Sequence, residues 1–308
     1  RIDQDIDRAI ELLEKARETT LAENNKSHIN LYVALGIKSR ACLAEGDWDG
    51  AFKAAKRVID EGGYAVGTKI DLTGGMNSLD KQNVMWGAGI QVADQAGGYA
   101  GFFTHMDNKE GAYAKSAPKL ISKQLYNRIS ATDIRRDWWD PSDKESPYVS
   151  KKFSFANVAS FLGDYIYMRV EEMYFTAAEA ALRLDDLKSA RELMNTVMAE
   201  RDPGYSANNR SGTLLGATTT TWTGSFLENI LTHRRIELWG EYGRLFDVRR
   251  LGQGIDRRTD DGFSEECISM MNRRNVNITK ADTYDWVLTI PKAELDANPN
   301  INEEDQNP

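Results

Sequence analysis

The chain has 308 residues, 41% hydrophobic and 28% charged, with a formal net charge of −8. That suits a soluble globular protein with a sizeable core, in one large domain or two smaller ones. The acidic balance argues against nucleic acid, which needs a basic footprint, and offers no attraction to anionic lipid. No run of about 18 apolar residues is present that could span a membrane as a helix.

The first residues already repeat apolar side chains at helical spacing: Ile2, Ile6, Ile10 and Leu13. Ser27 is placed to cap a second helix running through Cys42 and Leu43. Gly46 and Asp47 break that helix, and a third is expected from Trp48 to about Ile59. The two form a hairpin whose small residues, Ala41, Gly46, Ala51 and Ala55, allow close approach. A second hairpin is expected from Tyr167 to Leu184 and from Leu187 to Ala199, turning at Asp185 and Asp186. Aligning Ala51 with Ala190 brings Trp48 onto Leu187 and Ala55 onto Met194, a pattern of small and large residues like that of tetratricopeptide hairpins.

The copies are too far apart for one tandem step, so residues 62–165 read as an insert. It is rich in glycine and aromatics, weakly periodic, and has one expected helix near Ser116 to Ile129. Long irregular segments of this kind are commonly functional, and the aromatic content argues against disorder. After the second hairpin comes a polar loop ending in a capping box, Ser225 to Glu228. Beyond Gly252 the chain reads as loop, apart from a strand-like run, WVLTIP.

The box opens a segment whose second half reads HRRIELWGEYGRLFDVRR, from His233 to Arg250. On one continuous helix Arg234 would face Glu237, Glu241 would face Arg244, and Asp247 would face both Arg244 and Arg250. Arginines matched in this way hold little charge for a ligand, so a structural ladder is favoured over an anion site. Gly240 and Gly243 would permit close approach or a kink. Other chemistry finds no support. His28, His105 and His233 are isolated, and no HExxH, no complete dinucleotide loop and no GxxxxGK[ST] occurs. Cys42 and Cys267 form no CxxC pair. Glu171 and Glu172 are adjacent and would point to different sides of a helix.

This segment resembles a signature of the SusD/RagB family, matched at Arg234, Arg235, Glu237, Leu238, Gly240, Glu241, Arg244, Asp247 and Arg250. His233 stands where the family usually carries glutamate, and Tyr242-Gly243 replaces a plain glycine step. Three further pieces keep the family's order. One is Arg169, Glu172, Ala178, Glu179 and Ala180; another is Asp133, Arg135 and Arg136. The last is the close, with Ile290, Pro291, Glu294, Asn298, Pro299, Gln306 and Asn307.

The resemblance implies an all-α fold of tetratricopeptide-like hairpins with long irregular insertions, a single domain over 1–308 that lacks the family's N-terminal part. It also implies a protein without catalysis, held by a lipid anchor outside this chain on the outer-membrane surface of a Gram-negative bacterium. There it would hold an oligosaccharide or polysaccharide and pass it to a SusC-like TonB-dependent transporter. In the family the helical repeats generally meet the transporter and the ligand lies on the loop side. No cofactor is implied; the family admits a calcium ion, but no oxygen-ligand loop motif for one stands here.

The family's sugar-binding residues vary, so physical chemistry must choose among these. Sugars offer apolar C–H faces and a rim of hydroxyls, met by aromatic rings and by amide or charged groups. Within the insert, Trp86, Tyr99, Phe102, Phe103 and Tyr113 are the candidate rings, with Asn83, Gln91, Asp94, Gln95 and Asn108 as polar companions. The competing possibility is that these rings form a satellite core beneath a long loop. Trp138 and Trp139 are expected to pack beside the turn at Asp133–Arg136. Two other functions remain to be weighed: an all-α glycoside hydrolase, needing two carboxylates about 5–10 Å apart in a cleft, and a tetratricopeptide scaffold with a concave peptide groove. The sugar itself is not specified, and a peptide nutrient fits the same residues.

Overall fold

The computed structural model describes residues 2–17, 25–94, 101–256 and 289–306. The chain divides into two compact units, residues 1–214 with 224–244, and residues 215–223 with 245–308. The expected insert, 62–165, lies within the first of them.

In the first unit, helices α1 (Ile2–Arg17), α2 (Leu31–Glu45), α3 (Trp48–Glu61), α8 (Val170–Arg183) and α9 (Leu187–Ala199) pack successively, each on the next. Both hairpins are present, and the intervening chain lets α8 take the place beside α3 that a tandem repeat would hold. The packing is close because its contact residues are small: Ala51, Ala55, Ala177, Ala178, Ala180 and Ala190 are all fully buried. Each hairpin turn ends in an aspartate N-cap, Asp47 accepting from Gly50 N–H and Asp186 from Ser189 N–H. Gly46 (φ 80°) and Asp185 (φ 62°) supply the left-handed residues of the two turns.

Several expectations are corrected at element boundaries. The cap of α2 is Asn30, which accepts from Val33 N–H, and not Ser27. Residues 165–169 are a strand, β4 (Tyr165–Arg169), paired antiparallel with β1 (Val84–Ala88), so the second hairpin starts at Val170 rather than Tyr167. Where one helix was expected near 116–129, there are two short ones, α6 (Ala112–Ser116) and α7 (Lys123–Tyr126). Two more short helices, α4 (Lys69–Thr73) and α5 (Phe102–Met106), and a small second sheet, β2 (Trp139–Asp140) with β3 (Val149–Ser150), complete this part. Among the described residues the architecture is mostly helical, with two two-stranded sheets.

The largest correction concerns the signature segment. α10 (Phe226–Glu237) stops at Glu237, and α11 begins only at Arg244 and ends at Arg250. Gly240 (φ 74°) and Gly243 (φ 102°) take left-handed conformations that end the helix instead of kinking it. The expected ladder therefore does not form along one helix; Arg250 to Asp247, at 2.8 Å inside α11, survives. In the second unit, Gln306 holds Ile290 by both amide ends, accepting from its N–H at 2.7 Å and donating to its carbonyl at 2.9 Å. That gives the spacing between Ile290 and Gln306 a physical reason. Asn307 and the first half of the strand-like run WVLTIP, residues 286–288, lie outside the described residues.

Candidate functional site: an aromatic cleft over a buried ion cluster

Three arginines, two of them from the companion motifs, converge on Glu237, a carboxylate of the signature. Glu237 is fully buried and accepts from Arg135 (3.2 Å), Arg169 (3.0 Å) and Arg201 (3.0 Å). Arg135 is forked by Asp133, and Arg169 and Arg201 share Glu171 as well. Lys152 donates to Glu241 (2.5 Å) and to the carbonyls of Glu237 and Trp239. Four carboxylates thus meet four cations, so no net charge remains in the cluster.

Burial opposes ionisation of Glu237, but Arg201, Arg169 and Arg135 outweigh it and hold the carboxyl well below its usual range. Burial likewise opposes the charge on Glu241, and Arg169 and Lys152 reverse the effect. Lys152 is pushed down to about 8, because the loss of hydration exceeds what Glu241 returns. His233 faces Arg135 through Nδ1 at 2.8 Å. Burial, then the positive field of Arg135, hold it well below 6.5, so the ring is a neutral acceptor.

A cleft of about 510 Å³ lies over one side of this cluster. One wall is the β1–β4 sheet, where Trp86 meets Tyr167 edge to face with centroids 5.1 Å apart, beside Tyr165 and Ile166. Phe102, at the start of α5, Phe153 and Met76 give the apolar floor. The opposite rim is Gly240, Glu241 and Tyr242, with Arg40 from α2 lying flat on the Tyr242 ring, 3.8 Å from its centroid. Gly240 must be glycine here, since a Cβ would sit 2.6 Å from Phe153 and 2.8 Å from Met106.

The sequence candidates separate. Trp86 and Phe102 line the cleft. Phe103 does not: it is 2% exposed, sealed among core rings, and offers no face to a ligand. Tyr113 is 37% exposed but stacks on His105, with centroids 4.7 Å apart, away from the cleft lining. Tyr99 and Gln95 lie outside the described residues. Asn83 bonds Glu171, and Asn108 bonds Ser150 and Lys119, so both amides act within the fold. Asp94 accepts from the Gln91 backbone N–H, and neither residue lines the cleft. Trp138 and Trp139 are buried.

Sequence reasoning missed Tyr165, Tyr167, Tyr242 and Arg40 as lining residues. The two-residue spacing of Tyr165 and Tyr167 before Arg169 carried a strand period that the helical pattern behind it masked. Among the described residues, no three His, Cys, Asp or Glu side chains gather in a way that could hold a metal.

These features define a helical-repeat protein with an aromatic, largely apolar cleft set on a neutralised ionic base. Residues 103–308 match the sequence profile of the SusD family, and the chain belongs to that family. Solved structures share its fold. A SusD-like carbohydrate binding protein from Bacteroides vulgatus superposes with a TM-score of 0.71 at 24% identity, covering 96% of this chain and 64% of that one. A SusD superfamily protein from Bacteroides thetaiotaomicron gives 0.73 at 23% identity, covering 99% and 66%. Surface glycan-binding protein A from Bacteroides uniformis gives 0.60 at 18% identity, covering 99% and 68%. This chain therefore spans about two thirds of the length of such proteins. No curated protein matches it.

Proposed function

We propose that the protein binds a glycan at the surface of a Gram-negative cell without cleaving it, for delivery to a SusC-like TonB-dependent transporter. The observation that carries the binding reading is the cleft wall, where Trp86, Tyr167 and Tyr165 present rings beside one another on a two-stranded sheet. Ring faces of this kind match the C–H faces of sugars. Membership of the SusD family and the names of its carbohydrate- and glycan-binding structural neighbours point the same way.

The non-catalytic part rests on the carboxylates. Hydrolysis of a glycosidic bond needs two in one cleft, one of them kept protonated as the general acid. Glu241 is the one acid among the described lining residues, and its carboxyl is held down rather than up. Both its oxygens already accept from Arg169, and one from Lys152. A neutralised base supports recognition and gives no proton donor.

The test is a glycan array followed by calorimetry on the wild-type chain and on Trp86→Ala. Expected is retention of at least one oligosaccharide, with unchanged sugar after prolonged incubation and affinity about tenfold or more weaker in the variant. Equal binding by Trp86→Ala places the site elsewhere. Release of shorter sugars with turnover replaces the reading with a hydrolase.

A further inference from the structure

The polar groups of the cleft are unevenly divided between donors and acceptors. A neutral sugar hydroxyl both donates and accepts, so its site must supply acceptors as well as donors. Here the lining is mainly rings, Met76 and Ile166, and the one carboxylate is already engaged by Arg169 and Lys152. Among the described residues no Asn, Gln, Ser or Thr side chain lines it, and the other side-chain acceptors are the hydroxyls of Tyr165, Tyr167 and Tyr242, of which Tyr165 already accepts from Phe102 N–H.

Arg40 has the opposite character. Its Nε and Nη2 bond the two oxygens of Glu172 at 2.9 and 2.6 Å, and Nη2 also donates to the Tyr167 carbonyl at 2.8 Å. That side of the fork is locked, with Tyr242 against its flat face. Nη1 is the remaining nitrogen. Among the described residues it has no partner, although the side chain is only 13% exposed. Its two N–H groups are therefore pre-oriented donors in an apolar setting, where a charge-assisted hydrogen bond is stronger than in water.

We propose that the cleft selects a saccharide bearing an oxyanion, a carboxylate or a sulfate, which accepts from Arg40 Nη1 while the sugar ring lies against Trp86 and Tyr167. An oxyanion accepts without donating, so it makes no demand on the few acceptors of the cleft. The ion cluster beneath is internally matched and does not repel it. The selection is local, since the chain as a whole carries −8. This inference rests on the glycan-binding reading and names the class of sugar.

The experiment is calorimetry with three probes: an oligogalacturonate, the same oligomer with its carboxylates reduced to CH2OH, and a sulfated galactan oligomer. The wild-type chain should bind at least one acidic probe about tenfold or more tighter than the reduced oligomer, the value of one charge-assisted hydrogen bond. Which acidic probe binds tighter identifies the oxyanion. Arg40→Met should bring the acidic-to-neutral ratio to about one. Arg40→Lys, which keeps a charge beside Glu172 but not the outward nitrogen, should lower it and serves if Arg40→Met does not fold. Equal binding of acidic and reduced oligomers by the wild type, or a ratio that survives in both variants, overturns the inference and leaves the glycan reading standing. No binding of these probes or of any neutral glycan on the array removes both.

Discussion

The ion cluster and the cleft above it are built from the same strand and the same turn, yet they treat polar groups in opposite ways. In the cluster each carboxylate is matched, and Glu237 alone holds three arginines from three distant segments. In the cleft, Trp86, Tyr165 and Tyr167 stand partly exposed and, among the described residues, Arg40 keeps an unpartnered nitrogen. Removing polar groups from water is tolerable when they are satisfied by one another, as in the first case. In the second, the unsatisfied groups mark where something else can bind. In the reading proposed above, the saturated cluster stabilises the protein and the open donor over it recognises the ligand.

The sharpest way to break that contrast is Glu237→Gln, which leaves the three arginines with one carboxylate fewer. Breaking a buried ion group from one side costs about 3–5 kcal/mol. A large fall in the urea midpoint is expected, against little change for Trp86→Ala. A fall of less than about 1 kcal/mol would mean the cluster is not integral to the fold.

A smaller effect should appear on acidification. His233 has a folded pKa below its unfolded one, so between the two the unfolded chain binds the extra proton and stability drops as pH falls. The loss should begin below about 6.5 and run at up to about 1.4 kcal/mol per pH unit. Glu237 and Glu241, also depressed in the folded state, contribute stability that is fully present above the ordinary carboxylate range and is lost only below about 4.3. His233→Gln should remove the first stage and leave the second. A single transition in both proteins would show that His233 is not held neutral.

The smallest effect tests the boundary of the cleft. Tyr113 was a candidate ring by sequence, but it stacks on His105 and does not line the cleft. Tyr113→Ala should change glycan affinity less than twofold and stability by about 0.5 kcal/mol or less. A tenfold loss of binding would extend the site to that surface.

The helical hairpins were legible because small residues, aspartate caps and 3.6-residue periodicity are local signals. The arginine-rich segment was expected to hold structure, and its Glu237 and Glu241 sit in the buried ion cluster; Trp86 and Phe102, singled out as rings of the insert, line the cleft. The partners were not legible. Spacing along a helix suggested Arg234 for Glu237, whereas its partners Arg135, Arg169 and Arg201 come from the 3₁₀ turn at Ile134–Trp138, the end of β4 and the residue after α9's cap. Arg234 instead reaches Glu172 and Thr176. Such pairings depend on which segments fold together, and no period in the sequence encodes that. Phe103 failed for a related reason. Its neighbour Phe102 has the same chemistry, and only the direction of a short helix decides which ring is sealed.

The left-handed Gly240 carries a consequence for thermodynamics. It reverses the chain between Glu237 and Glu241, both anchored to Arg169, so the rim of the cleft is fixed at its base before any ligand arrives. A sugar docking there would find its surface already shaped, and little main-chain freedom would be lost on association. Calorimetry should then record a heat-capacity decrease in line with the apolar area covered, without the large unfavourable entropy of a loop that orders around its guest.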